Sequence, residues 1–421
     1  MAGGRNSREL VLFTTSYPYA GTEAFLETEI QYLAGRFDRV IVVPRIATGR
    51  LRDIPPNVVV DSSMAGTPYT RRRRIYVLTR ALTSGRFYRE ISRYAVPKRS
   101  PAMLWRAAAY VETALATRRW VRRHLRGSTD LPLFYSYWLG PQAFGVGLVK
   151  LFTPDLILIS RAHRADLYED VHSPPYLPFR RQTLEGVDKI FVISEHGRDY
   201  LNTSHPDFAD RYAISRLGVM DPGMKTKRSA DGVLRIVSCS FVVPVKRLEL
   251  LADGISEFAK VNRDLVVEWT HLGDGPSLKQ LKIEVSEGIP SNVLVNFRGH
   301  VDNAQVIEYY RTRPVDIFAN VSASEGIPVS IMEAQSFGIP VMATDVGGTS
   351  ETVSDQNGVL LDPNPSATDI SAALKQLGDQ EVNRRKRALS REAFRTRFDA
   401  DANYTAFADE LTAMIGAASH A

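Results

Sequence analysis

The chain alternates short, β-branched apolar runs with amphipathic helical stretches, and it does so in two separate series. In the first, ELVLFTTSYP reads as a buried strand and DRVIVVPR as a second. Between them TEAFLETEIQYLAGRF carries Phe25, Ile30 and Leu33 at helical spacing and stops near Gly35. PLFYSYWLG, PDLILISRAH and DKIFVISEHG extend this series. The second opens with VLRIVSCS and the helical KRLELLADGISEFAKV, then runs through DLVVEWTHLGDG, NVLVNFRGHV, VDIFANVSAS, PVMATDVGG and NGVLLDP. Strand–helix–strand repeats of this kind imply parallel sheets with helices on both faces. At 421 residues two domains are expected, with the polar, Pro- and Gly-containing stretch 213–230 as linker. The fold class is α/β: two Rossmann-like doubly wound domains facing a central cleft, with ligands at the C-terminal ends of the strands.

Composition removes several function classes. One cysteine, Cys239, excludes an internal disulfide framework and a cysteine metal cluster, and fits a reducing compartment. No window approaches 18 apolar residues, and the first twenty carry no apolar run of signal-peptide length, so a cytoplasmic location is expected. The charge is uneven: residues 71–126 hold sixteen Lys and Arg against two acids, Glu90 and Glu112. The rest of the chain has 37 basic and 45 acidic residues. This segment, helical in composition but interrupted by Pro97 and Pro101, mixes its arginines with Tyr76, Phe87, Tyr88, Trp105 and Trp120. Such a mixture suits an anionic bilayer, arginines on head groups and aromatics at the interface. A solvated helical face is the plain alternative. Nucleic acid is a third reading, but no helix-turn-helix, zinc finger or RNP motif accompanies the basic run.

The stretch 324–351, SEGIPVSIMEAQSFGIPVMATDVGGTSE, places Glu325 and Glu333 eight positions apart. Pro328 suits a first helical position, and Gly338 with Pro340 ends the helix. Free amides around Gly326, Ile327, Val329 and Ser330 make an anion site, aided by the helix dipole. A nucleotide diphosphate-sugar would satisfy both features: phosphates at the helix start, hydroxyls on the two carboxylates. A dipole partner plus a surface glutamate remains the alternative reading of the spacing alone.

These residues resemble the Glu-x7-Glu signature of family 4 retaining glycosyltransferases of GT-B fold. HLGDGP, VNFRGHV and SCSFVVPVKRLELL are similar to that family's C-terminal domain in order and spacing, and TSYPYAGTEAFLETEI and ISRAHRADLYED to its N-terminal landmarks. The resemblance implies an acceptor-binding domain at 1–215, a donor-binding domain at 216–390, and a helical segment at 391–421 packing back on the N-terminal domain. It implies that Glu325 contacts the donor sugar, Glu333 the ribose, and the 326–330 amides the diphosphate. Lys246 would neutralise the leaving diphosphate, with Arg247 beside it. Where many members have an arginine this chain has Ser240, so Arg247 either compensates or phosphate stabilisation is weaker. His163, after the strand LILIS, would approach the reacting sugar. The Gly21-Thr22 turn would bring amides to the phosphates, and Arg298-Gly299 would lie near the base. Asp166, Tyr168, Ser194 and Glu195 are candidate acceptor contacts; Asp166 fits an N-cap or an orienting role equally well.

The implied reaction is same-face transfer from a UDP- or GDP-sugar, without cofactor or metal, to a lipid-diphosphate-linked or glycan acceptor in bacterial surface-polysaccharide synthesis. Its place would be peripheral, on the inner face of the cell membrane. The one Asp-x-Asp, Asp399 with Asp401, is far from any strand end, and no zinc spacing is present. A sugar phosphorylase, a transferase for a soluble acceptor, and a non-catalytic sugar-nucleotide binder are the competing readings.

Overall fold

The structure, a computed structural model, describes residues 8–19, 23, 25–66, 71–93, 100–128 and 130–418, the backbone alone for 71–74 and 418. It divides into two units, Met1–Ser215 with Tyr404–Ala421, and Arg216–Asn403.

The first unit holds β1 (Glu9–Thr14), β2 (Arg39–Pro44), β3 (Val58–Val60), β4 (Leu133–Ser136), β5 (Leu158–Ala162), β6 (Lys189–Val192) and β7 (Tyr212–Ile214). They form one sheet in the order β3-β2-β1-β4-β5-β6-β7, and every pairing is parallel. Leu10, Val11, Leu12 and Phe13 are all buried, as a central strand covered on both faces requires. The winding reverses between β1 and β4, which is where ligands enter such sheets.

The basic segment forms helices Arg71–Leu82, Gly85–Ser92 and Pro101–His124 between β3 and β4. Pro101 does not break a helix but opens one, with the Ser100 hydroxyl accepting from the Met103 amide at 3.2 Å. Pro97 lies outside the described residues. The aromatics of this segment do not share one face. Trp120 is 3% exposed, packs edge-on against Phe13, and donates to Asp61 at 2.9 Å. Phe87 is also core, whereas Tyr76 and Tyr88 are exposed. Truncating Trp120 would cost about 4 kcal/mol. Helix Pro101–His124 meets helix Pro141–Lys150 so closely that a Cβ on Gly145 would lie 2.5 Å from the Ala114 carbonyl oxygen.

Helix Ala400–Ala418 returns to this unit, burying Phe407, Ala408 and Leu411 with Tyr135 and Phe191. The Arg161 guanidinium stacks on Phe407 at 4.3 Å and pairs with Glu29 at 3.4 Å, both charges fully buried. Burial alone would disfavour the pair; Tyr135, donating to Glu29 at 2.8 Å, and the Ser215 carbonyl, accepting from Arg161 at 2.8 Å, offset part of that cost, while Glu29 Oε2 and Arg161 Nη2 face only each other.

The second unit repeats the winding with β8 (Val233–Cys239), β9 (Val266–Leu272), β10 (Val293–Phe297), β11 (Ile317–Asn320), β12 (Val341–Thr344) and β13 (Gly358–Leu361), ordered β10-β9-β8-β11-β12-β13. Leu251, Ile255 and Phe258 of helix Leu248–Val261 pack on Ile236 and Trp269. The division between the units, Ser215 to Arg216, falls within the stretch 213–230, though that stretch is packed rather than free. Its start belongs to β7, and Val219 and Thr226 donate to the carbonyls of Phe398 and Phe337 at 2.9 and 3.0 Å. Among the described residues no helix is long and apolar enough to cross a membrane.

Candidate functional site

In the second unit the winding reverses between β8 and β11. The turn Pro244–Lys246 leaves β8 there, and the loop carrying Glu325 leaves β11. Lys246 Nζ lies 2.6 Å from Glu325 Oε1, which also accepts from Asn320 Nδ2 at 3.2 Å. Glu325 is 9% exposed, so this is a largely desolvated pair.

Arg247 sets this geometry, at φ +48° in the left-handed region, a strained place for a residue with a Cβ. Its guanidinium donates to the carbonyls of Val321, Ser322 and Pro363 at 2.7, 2.8 and 2.9 Å. These bonds tie the turn after β8 to the loop after β11 and present Lys246 to Glu325. In this structure Arg247 is a tether between the two loops. A third loop closes the site: Gly348 donates to the Gly326 carbonyl at 2.7 Å, and a Cβ on Gly347 (φ +57°) would sit 2.0 Å from the Glu325 carbonyl oxygen.

Helix Val329–Ser336 begins beside this pair. Pro328 occupies the N-cap rather than the first helical position, in an extended conformation, so its missing N–H leaves no donor stranded. Among the described residues the amides of Val329 and Ser330 have no acceptor. Ile327 is buried and anchors the loop. Glu333 is 7% exposed and accepts from Asn303 Nδ2 at 2.5 Å. Burial raises its carboxyl to about 7, although the Asn303 bond pulls the other way. Two buried carboxylates, one cation and two open amides converge on one helix start. Such a set has donors for an anion and acceptors for hydroxyl groups.

The ends of β8, β9 and β10 meet through their backbones: Ser240 donates to the Leu272 carbonyl at 3.1 Å and Gly273 to the Gly299 carbonyl at 3.0 Å. Gly273 has no room for a side chain, since a Cβ would fall 1.9 Å from the Ser240 carbonyl oxygen. Gly299 (φ +68°) belongs to this junction. Arg298 is exposed and lines a cavity of about 580 Å³ with Thr270, Asn296 and Tyr309.

In the first unit His163 follows β5 and is 6% exposed, and among the described residues neither ring nitrogen has a hydrogen-bond partner. Its ring packs between Tyr137 and Trp138, centroids at 4.7 and 4.6 Å. Burial and the Arg161 charge hold its pKa well below the ordinary histidine value, so the imidazole is neutral. Asp166 accepts from the amides of His163 and Leu139 at 2.7 and 2.6 Å, and burial raises its carboxyl to about 6. It binds the loop after β5 to the loop after β4 and so orients His163. Tyr168 is buried with its hydroxyl 2.6 Å from His196 Nδ1, and Ser194 caps the next helix by accepting from Gly197 at 2.9 Å. Glu195 is exposed. Gly21 and Thr22 lie outside the described residues.

Sequence reasoning missed Asn303, Asn320, Gly347 and Glu23. Only the Gly-Gly pair in DVGGTSE left a local signal. Glu23 accepts from the amides of Thr15, Ser16 and Tyr17 at 2.7, 2.7 and 2.8 Å, and from Trp138 Nε1 at 2.5 Å.

Residues 234–380 match the family model described as glycosyl transferases group 1. The chain is 34% identical over 190 residues to the O-antigen biosynthesis glycosyltransferase WbnH of Escherichia coli, covering 43% of this chain and 51% of that protein. It thus spans about half the length of that relative. Over 302 residues it is 27% identical to a D-inositol 3-phosphate glycosyltransferase of Mycobacteroides abscessus, covering 67% of this chain and 65% of that one. Among solved structures, Anabaena Alr3699/HepE in complex with UDP and glucose superposes with a TM-score of 0.65 at 16% identity, over 96% of this chain and 99% of that chain. The lipopolysaccharide outer core galactosyltransferase WaaB gives 0.66 at 13%, over 97% and 99%. The chain therefore has the GT-B fold, and its second unit carries the sequence pattern of the group 1 glycosyl transferases.

Proposed function

We propose that the protein is a glycosyltransferase of bacterial surface-polysaccharide assembly that takes its sugar from a UDP- or GDP-sugar. The observation that carries this is the Lys246–Glu325 pair at the switch point of the second sheet, beside the open amides of Val329 and Ser330. In this reading the diphosphate sits on those amides and draws Lys246 away from Glu325. Lys246 then meets the charge that builds on the departing phosphate oxygen. Glu325, freed of Lys246, accepts from sugar hydroxyls, and Glu333 accepts from the ribose. Arg298 and Gly299 serve the base.

The donor's sugar–phosphate bond breaks, the acceptor oxygen attacks the same face of the sugar, and the departing phosphate takes the acceptor proton. Anomeric configuration is retained, and no divalent cation takes part. His163, oriented by Asp166, serves the reacting sugar, and Tyr168, Ser194 and Glu195 belong to the acceptor side, a lipid-diphosphate-linked or other glycan. The protein works at the cytoplasmic face of the cell membrane. O-antigen assembly by the relative WbnH supports the pathway, and UDP bound to HepE supports the donor class.

Calorimetric titration with UDP, GDP and ADP, without metal, tests the donor site. One nucleotide should bind, and Glu333→Ala should weaken it at least tenfold. Absence of binding by all three would remove the donor assignment.

A further inference from the structure

The first unit carries a surface that its folding does not explain. Arg86 and Arg89 of helix Gly85–Ser92, Arg118 and Arg122 of helix Pro101–His124, and Arg126 in the turn after it are among the basic residues of the 71–126 segment. Among the described residues, none of the five lies within ion-pair distance of a carboxylate. They crowd one another instead: desolvation, then Arg122 and Arg86, lower the Arg118 pKa, and Arg118 Nε is buried with no acceptor. Like charges gathered without a counterion are unfavourable for the isolated protein.

Between them runs an apolar corner. Helix Pro141–Lys150 ends in Leu151 and Phe152, 66% and 77% exposed. Arg118, Arg122 and Arg126 line a groove of about 510 Å³ on the Phe152 side, and Arg86 and Arg89 a second beside Leu151. The second also holds Glu185, which is paired with Arg181, and Lys150 nearby is paired with Asp188. Elsewhere in the basic segment, helix Arg71–Leu82 exposes Ile75, Leu78 and Leu82 along one helical stripe.

We infer that the Leu151–Phe152 corner and its ring of arginines form the seat of this protein on an anionic lipid bilayer. The chemistry selects that partner. Unpaired guanidiniums take phosphate oxygens bidentately, while an adjacent Leu-Phe step enters the acyl boundary. A nucleic-acid backbone would satisfy the arginines but leave the apolar corner in water. The inference rests on the proposed membrane location and sharpens it. It replaces a seat spread over 71–126 with a corner that includes residues of another helix, and it removes Trp120 and Phe87, which are core.

Co-sedimentation with phosphatidylcholine vesicles, with and without phosphatidylglycerol, tests it. The whole chain should bind the anionic vesicles and not the neutral ones. Phe152→Glu and the triple variant Arg118→Ala/Arg122→Ala/Arg126→Ala should each weaken binding. The triple should do so on the order of 100-fold, from roughly fivefold per arginine. Val261→Glu, at an exposed apolar position of the second unit, should bind as the parent does. Thermal melts check that each variant is folded, and UDP titration of the same variants separates this surface from the donor site. Equal sedimentation with both vesicle types, or Phe152→Glu binding like the parent, would overturn the inference. So would release of the anionic vesicles by a short DNA duplex at matched salt.

Discussion

The two sheets share one winding but differ at their switch points. In the first unit the amides of Thr15, Ser16 and Tyr17, at the end of β1, are filled by the Glu23 carboxylate of the same chain. In the second, the helix after β11, on the other side of the switch point, offers the amides of Val329 and Ser330 with no acceptor among the described residues, and Lys246 lies on the turn after β8. Topology makes an anion site at both places. One site is closed by a built-in carboxylate, and the other is left for a ligand. The fold thus cannot say by itself which sheet holds a phosphate; the side chains on the loops do.

The largest test removes the cation from the open site. Lys246→Ala should lower turnover 100- to 1000-fold, with a smaller change in the binding of free nucleotide, measured by steady-state kinetics and calorimetry. Comparable losses in both would show that Lys246 holds the ground state, not the departing charge.

Next comes the closed site. Glu23→Ala strands three amides and should cost about 3 kcal/mol in urea unfolding. Added sulfate should restore part of that loss in the variant alone, because the vacancy becomes an anion site like the one in the second unit. No sulfate effect would mean that the three amides do not form an anion-binding nest.

Glu333 gives a pH-dependent test. Its carboxyl rises from 4.5 unfolded to about 7 in the folded protein. The stability this brings is full below pH 4.5 and is lost as pH rises through 7. Glu333→Gln should flatten that decline, a difference of at most about 3 kcal/mol, read from melting temperatures across pH 4–8. Nucleotide affinity should move oppositely, weakening below pH 7 in the parent as the carboxylate that accepts from ribose is protonated. The smallest effect belongs to Asn303→Ala. Loss of its bond to Glu333, about 1 kcal/mol, should shift the midpoint of that affinity profile to higher pH.

Much of the scaffold was legible because central parallel strands are apolar on both faces. The eleven runs read from the sequence each contain a strand. The two strands that escaped, β3 and β7, are three-residue edge strands, too short to show a period. The open site was legible where its residues are close in sequence, as at Glu325 through Glu333. Asn303 and Lys246 reach it from 30 and 79 positions away. No local pattern marks Asn303, and Lys246 stood out only through a resemblance. The tethering role of Arg247 escaped because its left-handed backbone is invisible in a string of letters. Trp120 misled: an arginine-rich neighbourhood hides which face of a helix is core.

The path of the chain has one further consequence. Since Tyr404–Ala418 completes the first unit, Arg216–Asn403 is an insertion within it. On the ribosome the first 215 residues emerge without Phe407, Ala408 and Leu411, leaving Tyr135 and Phe191 uncovered and Arg161 without its stacking partner. The second unit has all its strands by Leu361, and its core cluster is complete at Leu377, well before the final helix. The first must wait, with part of its core open, until the final helix has been translated.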